Sequence, residues 1–111
     1  MLREIKCPQR LPRQLHLVVG IAGSVASLTE GKFDCTVSRT AKGRVKVTFN
    51  EPFARAPIAV GNVVYGSLGL ILSIEAVSTT AVDIRMYDAA GADQDSNFHL
   101  LIQGWDAVDQ T

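Results

Sequence analysis

Two histidines, two cysteines and one acidic loop string are the residues of this 111-residue chain whose types and spacing could do chemistry. His16 and His99 each sit in an alternating, largely apolar segment. Neither has a second histidine or a cysteine at ligand spacing, and metal and acid–base sites need convergent partners, so both read as structural or exposed side chains. Asp93, Asp95 and Asn97 place oxygen atoms at alternate positions, which is one way for a loop to chelate calcium. A helix–loop–helix calcium loop also needs glycine at its sixth position and glutamate at its twelfth, and here those are Phe98 and Gly104. The segment therefore reads as a solvated acidic loop, and no metal is expected.

Cys7 and Cys35 are too few and too unpatterned for a disulfide framework or a zinc site. They read as free thiols of a protein made in a reducing cytoplasm, with Cys35 packed as a small hydrophobe. There is no Gly-x-Ser-x-Gly elbow, no phosphate-binding glycine loop and no paired-glycine dinucleotide fingerprint. The expectation is a protein without catalysis and without a cofactor.

The elements that must carry these residues are strands. Phe33 to Phe53 alternates apolar and polar side chains on both sides of a short break, with Phe33, Cys35 and Val37 on one face of one strand and Val45, Val47 and Phe49 on one face of the next. Ala41, Lys42 and Gly43 form the turn, with Gly43 free to take a positive φ. Leu15, Leu17, Val19 and Ile21 mark a first strand, which Ser24 to Leu28 continues after a bend at Gly23. Ile58–Val64, Leu70–Val77, Thr79–Tyr87 and Asn97–Trp105 follow, and the intervening DAAGADQDS is a surface loop. Such spacing predicts an antiparallel two-sheet sandwich with Val45, Val47, Phe49, Ile84, Met86, Phe98, Leu100 and Ile102 inside. On the last strand the opposite face still shows His99, Leu101 and Trp105, which points to a subunit interface.

Composition agrees with a single domain that uses a partner. Hydrophobic residues make up 47% against 20% charged, more apolar content than a small core needs. The net charge is zero but segregated: through residue 56, ten basic minus four acidic residues give +6, and the remainder, one minus seven, gives −6. Either the two halves meet charge complements on other molecules, or they pair within the fold. A pI of about 6.7 and few aromatics on the basic half disfavour nucleic-acid binding. Residues 1–13, with Pro8, Pro12 and four basic side chains, read as an extended arm without the features of a secretory signal, and residues 14–111 as the sandwich domain. The apolar stretch Ala56–Val77 is long enough to span a bilayer, but Pro57, Asn62 and the break at residues 65–69 divide it into two buried strands, so no membrane partner is expected.

Phe33, Arg39, Thr40, Gly43, Val47, Thr48, Phe49, Phe53 and Pro57, together with the closing run FHLLIQGWD from Phe98 to Asp106, resemble small jelly-roll-like β-sandwich domains of tailed bacteriophages. These occur as trimeric capsid decoration (cement) proteins and as tips of tail or head fibres. The resemblance covers about residues 24 to 106 and is one of core and turn residues. It implies a homotrimeric virion protein on the capsid exterior that staples the major capsid protein lattice. The short, stand-alone length favours decoration; the alternative is a receptor- or carbohydrate-binding fibre tip, for which Tyr65, Tyr87 and Trp105 are the candidate sugar-stacking aromatics. On the decoration reading the arm lies extended on the capsid, with Arg3, Lys6, Arg10 and Arg13 meeting carboxylates and Leu2, Ile5 and Leu11 filling shallow pockets, while Leu101, His99 and Trp105 form the oligomer interface.

Overall fold

A computed structural model describes residues 10–32, 34–64 and 69–107, and within it the chain is all-β. Eight strands run in order: β1 (Arg10–Ala22), β2 (Val25–Glu30), β3 (Cys35–Ala41), β4 (Arg44–Phe49), β5 (Ile58–Val63), β6 (Ile71–Val77), β7 (Ala81–Tyr87) and β8 (Phe98–Ala107). They form two four-stranded antiparallel sheets, ordered β2-β1-β8-β5 and β3-β4-β7-β6, packed face to face. The alternation seen in the sequence is the cause: one residue in two points inward, and the two inward sets meet as a common core. Leu15, Leu17, Val19, Phe98, Leu100 and Ile102 come from the first sheet, and Cys35, Val45, Val47, Phe49, Val82, Ile84 and Met86 from the second, all buried. All eight side chains expected inside are among the buried residues.

Three expectations change in detail. Gly23, at φ 62°, does not bend one long strand; with Ser24 it reverses the chain, so that Ala22 pairs with Val25 and β2 returns alongside β1. Strand β1 begins at Arg10, with Arg10 to Arg13 in register against Ala107 to Gly104 of β8, so the last four residues of the expected 1–13 arm belong to the sheet. The arm's remaining residues lie outside the described ones. Of the nested strand pairs of a jelly roll, first with eighth, second with seventh, third with sixth, fourth with fifth, the described residues form the first alone. Tight turns at Gly23–Ser24 and Lys42–Gly43 make β1–β2 and β3–β4 local hairpins, which cost less loop-closure entropy than distant pairings.

Arginine–aspartate pairs close both ends of the core. At one end Arg13 lies 3.8 Å over the Phe53 ring, its Nε 3.1 Å from Asp106 Oδ1, and its Nη2 donates to the Glu51 carbonyl at 2.7 Å. Phe53 in turn meets Phe49 edge to face, with centroids 4.9 Å apart. At the other end Arg39 donates from Nε and Nη2 to the Asp95 carboxylate, at 2.9 Å for the closer pair, and Gly43 N donates to Asp95 Oδ1 at 2.7 Å. Gly43 has φ 71°, and an added Cβ would come within 2.5 Å of the Met86 carbonyl, so the hairpin tip fits under the loop only as glycine.

Candidate functional site

The two outer faces of the sandwich are built from the residues that alternate with the core. On the β3-β4-β7-β6 sheet the outward positions include Thr36, Ser38, Arg44, Lys46, Thr48, Asp83 and Arg85. Arg44 stands directly opposite Arg85, a like-charged pair that would repel across adjacent strands. Asp93 resolves it, 2.7 Å from Arg85 Nε and 3.6 Å from Arg44 Nε, with Glu75 3.9 Å from Arg44 on the far side.

On the β2-β1-β8-β5 sheet the outward rows read Val60, Leu101, His16; Asn62, His99, Val18; and Ile58, Gln103, Gln14, followed by Trp105 opposite Pro12. Between Pro12 and Gly20 on β1, His99 and Trp105 on β8, and Ile58 and Asn62 on β5, no outward position is Lys, Arg, Asp or Glu. Ile58, Val60 and Trp105 are 71%, 54% and 50% exposed, and Val25 of β2 is exposed on the same side. A shallow open depression of about 390 Å³, lined chiefly by His16, Val18, Val60, Asn62, His99 and Leu101, occupies the middle of this face. Isolated exposed aliphatics are ordinary on a protein surface; here Val18, Ile58, Val60, Leu101 and Trp105 share one face with the neutral polar side chains Gln14, His16, Asn62, His99 and Gln103, which makes it an uncharged, partly apolar surface and the candidate contact surface of the sandwich.

His99, Leu101 and Trp105, singled out from the sequence, all lie on this face, with Leu101 half-buried at its centre. His16, Val18, Ile58 and Val60 belong to it as well. The sequence signal for His16 and Val18 is their alternation with Leu15, Leu17 and Val19, but the partners that flank Leu101 follow only from the β1–β8–β5 register.

The expected arm residues divide. Leu2, Arg3, Ile5 and Lys6 lie outside the described residues, as does Cys7. Arg10 and Leu11 are placed by backbone register on β1. Arg13 is committed within the fold to Phe53, Asp106 and the Glu51 carbonyl, and is not available as an arm anchor. The reason is its place in the alternation: it shares the inward side of β1 with Leu15 and Leu17, at the end of the sheet where Phe53 fills the space against Gly104.

The acidic loop is built into the fold through its individual side chains. Asp93 and Asp95 face different arginines, and Asn97 Oδ1 accepts a hydrogen bond from Ile21 N at 2.8 Å, so the three oxygens of the D-x-D-x-N string serve three separate elements. Asp88 accepts from the backbone N of Ala90 and Ala92, folding the loop on itself. The guanidinium of Arg39 holds the Asp95 carboxyl below its ordinary range, Arg85 does the same for Asp93, and the Ala92 N–H for Asp88. Among the described residues no three His, Cys, Asp or Glu side chains are grouped to hold a metal ion. Cys35 is buried, and desolvation pushes its thiol up to about 11, with Asp34 adding to the effect. Arg13–Asp106, Arg39–Asp95, Arg44–Asp93 and Arg44–Glu75 all join the basic first half of the chain to its acidic second half, so a good part of the segregated charge pairs inside the fold.

No family model matches the chain, and neither a curated protein nor a solved structure matches it.

Proposed function

We propose that the chain is a structural virion protein: a capsid decoration protein that binds the outer capsid lattice as a homotrimer and stabilises it, with no catalytic role. The observation that supports attachment as its work is the uncharged, partly apolar face of the β2-β1-β8-β5 sheet, centred on Leu101. The capsid as the partner comes from the resemblance of residues 24 to 106 to phage decoration domains. In this reading the face carries the trimer contact, and the basic residues Arg3 and Lys6, with Leu2 and Ile5, meet the major capsid protein.

Co-sedimentation with empty capsids tests the proposal. Intact protein pellets with capsids at low salt and less at high salt, because the exposed charge contacts of the basic segment are screened. A form lacking residues 1–9 keeps its oligomeric state and stays in the supernatant; truncating at residue 13 instead would remove Arg13 and part of β1. Intact protein that fails to pellet overturns the proposal. If that protein binds immobilised glycans, the fibre-tip reading takes its place, with half-exposed Trp105 as the stacking platform.

A further inference from the structure

The stretch between β7 and β8, residues 88–96, reads DAAGADQDS and holds no apolar side chain larger than alanine. None of its residues is buried. It nevertheless lies directly on the tip of the β3–β4 hairpin, where a Cβ added to Gly43 would come within 2.9 Å of Gln94 N and 3.0 Å of the Asp93 Cβ. A segment with so little apolar surface to bury stays in place through its polar contacts, and the charge-assisted ones here belong to Asp93 and Asp95.

We propose that residues 88–96 form an acid-released strap: with Asp93 and Asp95 ionised it is clasped over the hairpin tip, and when both are protonated it lifts from that tip as one piece while the two sheets stay folded. The device is independent of what the sandwich attaches to.

Both clasps reach across the fold. Asp95 receives Arg39 of β3 on both carboxylate oxygens, at 3.1 and 2.9 Å, and the Gly43 N–H at 2.7 Å, with Lys42 of the turn adding attraction. Asp93 sits between Arg85 of β7 and Arg44 of β4. Protonating it leaves those two guanidiniums opposite one another with no anion between them. Arg44 then keeps Glu75 of β6, 3.9 Å away on the far side, and Arg85 keeps the Tyr87 ring. What still ties the strap to the sheet is Gln94 N on the Met86 carbonyl and Arg85 Nη2 on the Gly91 carbonyl, each at 3.0 Å. Two hydrogen bonds to neutral acceptors are set against the conformational freedom of nine residues.

The ends of the strap are secured separately. Tyr87 closes β7 in register with Ile71, while the Asn97 carbonyl accepts from Val64 N at 2.9 Å and its Oδ1 from Ile21 N at 2.8 Å. Lifting therefore stops at residues 87 and 97 and does not unzip either sheet.

The Arg39 hydrogen bonds hold the Asp95 carboxyl below its ordinary range, and that of Arg85 does so for Asp93. The clasped state binds protons less readily than the lifted one, so clasping is complete above about pH 4 and is lost as pH falls through the lowered values. Asp88 is lowered as well, by the Ala92 N–H, but it folds the strap on itself and does not fasten it to the sheet. Lifting takes Asp93 and Asp95 away from Arg39, Lys42, Arg44 and Arg85, and one end of the sandwich becomes cationic.

A nuclear magnetic resonance titration of the backbone amides from about pH 6 to about pH 2.5 tests the proposal. Gly43 donates to a carboxylate and Gln94 to a carbonyl, yet both amides are expected to lose their hydrogen bonds with one midpoint, below about pH 4. Ile21 and Val64 at the hinge and Val47 in the core keep theirs. A change at Gly43 with Gln94 unmoved means that Asp95 is protonated in place, and a loss shared with Val47 is unfolding of the whole domain; either result overturns the strap. At neutral pH Asp95→Asn leaves an oxygen for the Gly43 N–H but removes the charge that Arg39 meets. It is expected to speed hydrogen exchange at Gln94 by at least roughly tenfold with Val47 unchanged. Exchange at Gln94 equal to that of wild type overturns the assignment of Asp95 as a clasp.

Discussion

The two outer faces of this sandwich rest on one core and are made by the same alternation of strand residues, yet they treat charge in opposite ways. The β3-β4-β7-β6 face is crowded with it, and Asp93 lies between Arg44 and Arg85 to make two facing arginines tolerable. The central β1-β8-β5 face carries none and leaves Ile58, Val60 and Trp105 to solvent. An exposed charged face can satisfy itself with local pairs and water. The uncharged face has no ion pairs of its own, and its exposed Ile58, Val60 and Trp105 are the side chains that burial against a partner would stabilise.

The largest effect comes from removing what both faces share. Phe49 is 5% exposed and packs on Phe53, so Phe49→Ala is expected to cost about 3 to 5 kcal/mol in chemical denaturation. A loss below about 1 kcal/mol would show that the core does not depend on this ring. The comparison itself is tested by charging each face in turn. Leu101→Asp is expected to weaken self-association by at least about a hundredfold, since it buries an unpaired carboxylate in the contact, while Lys46→Glu on the other face leaves the sedimenting mass unchanged. Equal effects from the two would erase the distinction between the faces.

The smallest effect belongs to the loop carboxylates. Asp95, Asp93 and Asp88 all have carboxyl pKa values lowered in the fold, so between those values and about pH 4 the unfolded chain binds more protons than the folded one. Their contribution is fully present above the unfolded carboxylate range and is lost as pH falls through the lowered values. Thermal melts are expected to be flat with respect to these groups from neutral pH to about pH 5 and to fall below about pH 4. Asp95→Asn should lower the neutral-pH melting temperature and flatten the acid limb. An acid limb as steep as that of wild type would place the linkage elsewhere.

The strands and the core were legible because their signal is local. Val45, Val47 and Phe49 declare one face within five residues, and so do Phe98, Leu100 and Ile102. Gly23 was ambiguous for a physical reason: a positive-φ glycine serves a kink and a reversal equally well, and the choice is made by β1 finding β2 as its neighbour. Arg13 looked like part of a basic arm because its partners Glu51 and Asp106 are remote in sequence, and the pairing of Arg39 with Asp95 spans 56 residues. Asp93 and Asp95 carried a calcium-like spacing, but spacing alone does not say whether a cation or a guanidinium occupies the carboxylates. For the candidate contact face, β8 showed its own outward residues, whereas Val60 and His16 join Leu101 only through cross-strand register.

The pairing of β1 with β8, in register from Arg10 with Ala107 to Val19 with Phe98, also sets an order of events during synthesis. The first of the described strands has its central partner in the last of them. Until β8 has left the ribosome, the first sheet lacks the strand that joins β1 to β5, and the row containing Val60, Leu101 and His16 does not yet exist. The β3–β4 and β6–β7 hairpins can form beforehand from neighbouring residues, so one sheet is available as a template while the other waits. The row that joins β5, β8 and β1 thus forms only once β8 is free of the ribosome, after the other described strands have been made.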